Sequence, residues 1–265
     1  MLSIANILVP VVFSERCAWA ARFAARLAKE FGSQLLVLNV GPENHLKDLE
    51  AFASNEVASI PHKLVVIDGD PADRIVEFAR EYKADLIVMP TYHGRYRAFL
   101  VGSVTAKVLH DVECPVLTGV HRPAESPRIP DAFRNVVCGL DDAPGCISLF
   151  RWARELTTII GARLRLVHAI PAVDEISENR GEIEVRRYLL NEAKKHFNAR
   201  FAAEAEQPAI DLRGGGIARV IRETALASEA DLVVIGRGHA DRALGRLRTN
   251  TYAVIRNSPC PVVSV

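Results

Sequence analysis

The chain has 265 residues, 49% of them hydrophobic, enough for one large domain or two small ones with sizeable cores. Lys and Arg number 33 against 32 Asp and Glu, a balance that gives no reason to expect nucleic acid or an anionic membrane surface as partner. No apolar stretch approaches a membrane span, and Met1–Val9 reads as a first strand rather than a secretory leader, so a cytoplasmic protein is expected.

Ile7–Val12 is a short apolar run suited to a strand buried on both faces. Glu15–Phe31 places Trp19, Phe23, Leu27 and Phe31 at helical spacing, and Gly32 stops the helix. Leu35–Val40 is the next strand, followed by a helical stretch and a strand over Lys63–Ile67. Pro71–Tyr82 predicts a helix with Ile75, Phe78 and Ala79 inward. Leu86–Met89 is a strand, a loop leads to a helix over Ser103–His110 that Ser103 could cap, and Val116–Val120 closes the unit.

The same order then recurs. Ala84-Asp85-Leu86-Ile87-Val88 parallels Ala230-Asp231-Leu232-Val233-Val234, and Cys114-Pro115-Val116-Leu117 parallels Cys260-Pro261-Val262-Val263, both at an offset of 146. The front of each half aligns at 129: Asn6-Ile7-Leu8-Val9 with Asn135-Val136-Val137-Cys138, and Gly32–Leu38 with Gly161–Val167. The 17-residue difference between these offsets falls in Pro171–Gln207, which predicts a longer helix there. A period this long means duplicated domains, and the three prolines of Arg122–Pro130 mark the linker between them. The boundaries are 1–121 for the first domain, 122–133 for the linker and 134–265 for the second. Strands alternating with helices imply an α/β protein of two tandem doubly wound domains, each a mostly parallel sheet flanked by helices. Ligands of such sheets bind beyond the carboxyl ends of the strands, where the winding reverses.

Gly102 permits close backbone approach and leads into a helix N-terminus, which is either an anion site or an ordinary turn. Arg237, Arg242, Arg246, Arg248 and Arg256 cluster around the corresponding second-half loop, as a phosphate clamp or as a solvated basic loop. Asp141 and Asp142 are either a carboxylate pair or a turn and helix cap. His93 and His239 have no second ligand at a diagnostic spacing, so neither a metal nor a catalytic role is expected. The five cysteines (Cys17, Cys114, Cys138, Cys146, Cys260) are odd in number and contain no C-x-x-C pair, which suits mostly buried thiols in a reducing compartment.

Four features together resemble the universal stress protein family: Ile7-Leu8-Val9-Pro10, Ala84–Met89, the loop ending Gly102-Ser103-Val104, and Cys114-Pro115-Val116-Leu117. The resemblance implies a five-stranded sheet in the order 3-2-1-4-5 in each half. It also implies binding of ATP or a related adenine nucleotide, with Mg2+ and little turnover, through a loop of the form G-x-x-G-x9-G-[ST] and an acid at the end of the first strand. The contacting positions would be Pro10, Val40, Gly94, Gly102, Ser103 and Val104 in the first half. In the second they would be Asp141, Ala169, Gly236, Gly238, Gly245, Arg246, Arg248, Thr249 and Asn250. Both loops depart from the pattern. Pro90 stands at the first glycine and Val12 at the acid in the first half, while Arg248-Thr249 replaces Gly-Ser in the second, and each loop is one residue short. The resemblance further implies an internal pseudo-dimer paired through the last strands, and is compatible with a homodimer of tandem chains. The alternative to nucleotide binding is a partner-binding scaffold that has lost it. An enzyme of the wider superfamily is the weakest reading, because no acid–base pair or nucleophile supports it.

Overall fold

The computed structural model describes residues 2–91, 101–121, 129–173, 180–204, 207–237 and 246–265. The chain forms two compact units, one of Met1–Ala132 with Pro261–Val265 and one of Phe133–Cys260.

In the first unit the elements are β1 (Asn6–Pro10), α1 (Glu15–Phe31), β2 (Gln34–Val40), α2 (Leu46–Glu56) and β3 (His62–Ile67), then α3 (Pro71–Glu81), β4 (Leu86–Met89), α4 (Ser103–Asp111) and β5 (Val116–Thr118). The strands lie in the order β3-β2-β1-β4-β5, all parallel. The central strand is dry on both faces, with Ile7, Leu8 and Val9 fully buried, which is why its sequence is continuously apolar instead of alternating. Ser14 caps α1 by accepting from the Cys17 N–H, and Gly32 ends it at φ 68°. Asp70 caps α3 through the N–H groups of Ala72 and Asp73, with Pro71 in the first turn.

The second unit repeats this with β6 (Asn135–Gly139), α5 (Cys146–Ile160), β7 (Arg163–Ile170), α6 (Arg180–Arg200), β8 (Ile210–Gly214), α7 (Ile217–Ala227), β9 (Leu232–Ile235) and α8 (Arg246–Asn257). Its parallel strands run in the order β8-β7-β6-β9. The extra sequence of this half forms α6, 21 residues long against 11 for α2. The last strand, β10 (Val262–Ser264), groups with the first unit and pairs antiparallel with β5, Val263 opposite Leu117. The Thr118 hydroxyl also donates to the Val262 carbonyl at 3.3 Å. A short β5 therefore does not end as an open edge.

The repeated Ala-Asp-Leu motif acquires a physical reason. Asp85 Oδ2 accepts from the Ala5 and Asn6 N–H groups at 2.8 and 2.9 Å. Asp231 Oδ2 accepts from those of Arg134 and Asn135 at 2.6 and 3.0 Å. In each unit one carboxylate anchors the start of the central strand.

Three sequence expectations need correction. The first strand stops at Pro10 and not Val12: Val12 is 47% exposed and Phe13 turns the chain at φ 52°. The fifth stops at Thr118, where Gly119 passes so close to Trp19 that a Cβ would lie 2.6 Å from its ring. Ser103 is not the cap of α4; Gly102 holds that position without a side-chain hydrogen bond, and Ser103 is the first helical residue. Among the described residues no helix is long and apolar enough to cross a membrane.

Removing residues 261–265 should destabilise the first unit by roughly 2–4 kcal/mol through the lost burial of Val262 and Val263. The measurement is urea unfolding followed by Trp19 fluorescence in a Trp152→Phe background; an unchanged midpoint would contradict the grouping of β10 with this unit.

Candidate functional site

In both units the winding reverses beside the central strand, between β1 and β4 and between β6 and β9, and the carboxyl ends of these strands form the candidate site. Pro10 and Val40 are the last residues of β1 and β2, and Gly102, Ser103 and Val104 begin α4. In the second unit Asp141 follows β6, Ala169 lies near the end of β7, and Gly236 follows β9. Arg246, Arg248, Thr249 and Asn250 lie at the start of α8, which begins three residues ahead of Thr249, whereas α4 begins at Ser103 itself. Gly94, Gly238 and Gly245, together with His93, His239 and Arg242, lie outside the described residues.

The first unit fills its own site in two places. The Gly102 N–H already donates to the Thr91 carbonyl at 2.8 Å, so one donor of the expected phosphate cradle is committed. Thr91 is itself buried, with its hydroxyl 3.0 Å from Nδ1 of the buried His121. At the end of β2, Phe13 packs edge-on against His45 and Phe52, with ring centroids 5.8 and 6.0 Å apart. His45 in turn lies 2.9 Å from the Asn39 amide oxygen, and the Asn39 amide donates to the Val11 carbonyl at 2.9 Å.

The second unit keeps that last contact with different chemistry. His168 occupies the place of Asn39, and its Nδ1 bonds the Leu140 carbonyl at 2.9 Å. Asp141 and Asp142 stand where Val12 and Phe13 do, so the aromatic plug of the first unit becomes a carboxylate pair. Asp141 Oδ1 accepts from the Ala143 N–H at 3.2 Å, the turn geometry anticipated for this pair. Asp142 faces α6: His196 Nε2 is 2.5 Å from its carboxylate and the Arg200 guanidinium 3.4 Å. Arg200 also donates to the Ala143 carbonyl at 3.2 Å. Between these two residues on the helix, Phe197 packs its ring 4.8 Å from His168 and against Phe201. The inserted helix thus bolts onto the strand end that carries the acids. Burial raises the thiol of the adjacent Cys146, and the Arg200 guanidinium pulls it the other way. Among the described residues no cluster of three His, Cys, Asp or Glu could hold a metal ion.

His168, His196 and Arg200 escaped the sequence reading. His168 carried a signal: at the offset of 129 it aligns with Asn39, a polar residue in the same place of an otherwise apolar strand. Arg200 carried none, since its contacts reach back 57 and 58 residues.

These features define a tandem α/β protein with two strand-order switch points. The sequence model of the Universal stress protein family matches residues 42–118 and 132–265. The chain belongs to the universal stress protein family. A universal stress protein of Methanocaldococcus jannaschii is 31% identical over 135 residues, covering 42% of this chain and 79% of that protein. A functionally unknown protein of Pseudomonas aeruginosa matches the fold over 99% of this chain and 92% of its own, with a TM-score of 0.73 at 18% identity. A universal stress protein of Archaeoglobus fulgidus does so over 99% and 96%, with a TM-score of 0.66 at 19% identity. At such identities the structural likeness speaks for the fold alone.

Replacing Arg200 by Ala should loosen the turn after β6. Asp142 is 61% exposed, so solvent screens its pair and the loss in stability should be only about 0.5–1 kcal/mol. Hydrogen exchange of residues 141–146 should rise; unchanged exchange would mean that α6 does not hold this turn.

Proposed function

We propose that the second unit takes ATP or a related adenine nucleotide at the carboxyl ends of β6 and β9, holding it with little turnover. The observation that carries this reading is Asp141, an acid at the end of the central strand beside the winding reversal, where the first unit has Val12. One of its carboxylate oxygens accepts the Ala143 N–H; the other is the group that would meet a ribose hydroxyl or a phosphate-bound Mg2+. The residues fit Mg2+ only as an ion shared with the nucleotide's phosphates, because Asp141 offers a single carboxylate and Asp142 is engaged by His196 and Arg200. Ala169 and Gly236 would flank the base and the first phosphate, and Arg246, Arg248, Thr249 and Asn250 would supply donors at the start of α8, alongside Gly238 and Gly245. In the first unit, Pro10, Val40, Gly94, Gly102, Ser103 and Val104 would form the weaker site, since Phe13 packs on His45 and the Gly102 N–H is already bonded. We read the protein as cytoplasmic and its two repeats as an internal pseudo-dimer.

A scaffold that binds a protein partner and no nucleotide is the second reading. It is favoured by the packing of Phe197 against His168, which covers the end of β7 with the chain's own side chain.

Titration calorimetry of nucleotide-free protein with ATP, ADP and AMP decides between them. Asp141→Ala should weaken binding about tenfold or more, the worth of one charge-assisted contact, while Gly102→Val and Ser103→Ala leave it nearly unchanged. Weakening by the first-unit changes alone would assign the site to the wrong unit, and no heat with any nucleotide would favour the scaffold.

A further inference from the structure

The turn after β6 lacks the device that holds its counterpart after β1. In the first unit Ser14 caps α1, its hydroxyl oxygen accepting from the Cys17 N–H at 3.3 Å. At the offset of 129 the same pair is Ala143 and Cys146, and the alanine has no side chain to cap with. α5 begins at Cys146, two residues later than the equivalent start of α1, and its cap position, Gly145, makes no side-chain hydrogen bond. Asp141–Gly145 therefore lie outside both the strand and the helix.

The peptide groups of Ala143 are gripped on both sides instead. The N–H donates to Asp141 Oδ1 at 3.2 Å. The carbonyl accepts from the Cys146 N–H at 3.0 Å and from Arg200 Nη1 at 3.2 Å. The other arm of the same guanidinium, Nη2, reaches the Asp142 carboxylate at 3.4 Å. One planar fork thus spans the residue that fixes Asp141 and the residue that follows Asp141, and its donors keep a set separation. In the first unit the equivalent of Asp142 is Phe13, packed on His45 and Phe52, so this grip belongs to the second unit.

We propose that Arg200 is a positioning residue for the nucleotide site of the second unit: through Ala143 it holds Asp141 with one carboxylate oxygen turned to the ligand. This inference rests on the reading of Asp141 as the acid that meets the nucleotide. Arg200 acts through the Ala143 carbonyl and not by contact with the ligand. With the fork in place the turn and the Asp141 side chain are ordered before the ligand arrives; without it, binding has to order them. Affinity at the end of β6 is in this way set from the inserted helix, and a shift in the last turns of α6 changes it.

The test is a double-mutant cycle on the full chain, with ATP affinity read by titration calorimetry. Arg200→Ala should weaken ATP roughly three- to tenfold, the cost of ordering a side chain and its turn at the moment of binding. In an Asp141→Ala background the same change should alter affinity by less than about twofold, because no carboxylate is left to position. Arg200→Lys keeps the charge and loses the fork; it should weaken ATP less, with the same dependence on Asp141, and it carries the test if Arg200→Ala does not fold. Arg151→Ala, which takes an arginine of the same unit from its pair with Glu204, should leave ATP affinity within about twofold. Equal losses from Arg200→Ala in both backgrounds would mean that Arg200 meets the ligand itself, and would overturn the proposal. So would no loss with Arg200→Ala, or as large a loss with Arg151→Ala. Failure of the underlying reading looks different: Asp141→Ala alone then leaves ATP affinity unchanged, or no nucleotide gives heat, and the proposal falls with it.

Discussion

One carboxylate per unit holds the central strand in place. Asp85 and Asp231 each take two successive backbone N–H groups at the start of β1 or β6, and each sits one residue before the neighbouring strand β4 or β9. A strand buried on both faces has no alternation of polar and apolar side chains to specify its register. The register of Ile7 with Leu86 and of Val136 with Leu232 is instead set from the end, by a charge-assisted bond that a one-residue slip would break. Everything at the opposite edge inherits its position from this anchor, since the ends of β1 and β4 bound the first site and those of β6 and β9 the second.

With the backbones so fixed, the two units differ by what stands at equivalent positions. At the carboxyl edge, Phe13 on His45 and Phe52 gives way to Asp142 on His196 and Arg200. At the amino edge, Arg80, Lys83, Asp111 and Glu113 near the half-buried Cys114 give way to Leu226, Glu229, Asn257 and Pro259 at the positions equivalent by the repeat, with Cys260 buried. Neither exchange disturbs the sheet, because the exchanged residues lie in turns and helix ends.

The regular elements were legible because their signals are local. Glu15–Phe31 has a serine cap, a helical apolar stripe and a terminal glycine, and it is a helix over that span. Leu86–Met89 is a bounded apolar run and is a strand over that span. The strand at Ile7 reads longer in sequence than in the structure because apolar residues continue past Pro10, and nothing in the sequence announces that Phe13 adopts a left-handed backbone. Residue type points to Ser103 as a cap, but the cap follows from which residue keeps an extended backbone, and that is Gly102 at ψ 149°. Of the candidate site, the acid at Asp141 is expected from the family resemblance, since the repeat alone pairs it with Val12, whereas the grip of Arg200 on the turn depends on packing across 57 residues and leaves no trace in sequence spacing.

The inserted helix explains why the second unit can keep an acidic strand end at all. Two adjacent carboxylates repel, and the aromatic arrangement of the first unit avoids the problem by having neither. In the second unit Asp141 satisfies one oxygen on its own turn, and Asp142 is met by a histidine and an arginine one helical turn apart on α6. Those two residues can reach it because α6 is long enough to bring its last turns over the end of β6, and the adjacent Phe197, on the buried side of the helix with Phe201, packs against His168. The longer helix and the second carboxylate therefore go together: α6 supplies the countercharge to Asp142, without which the pair would add repulsion to a strand end that the sheet has already set.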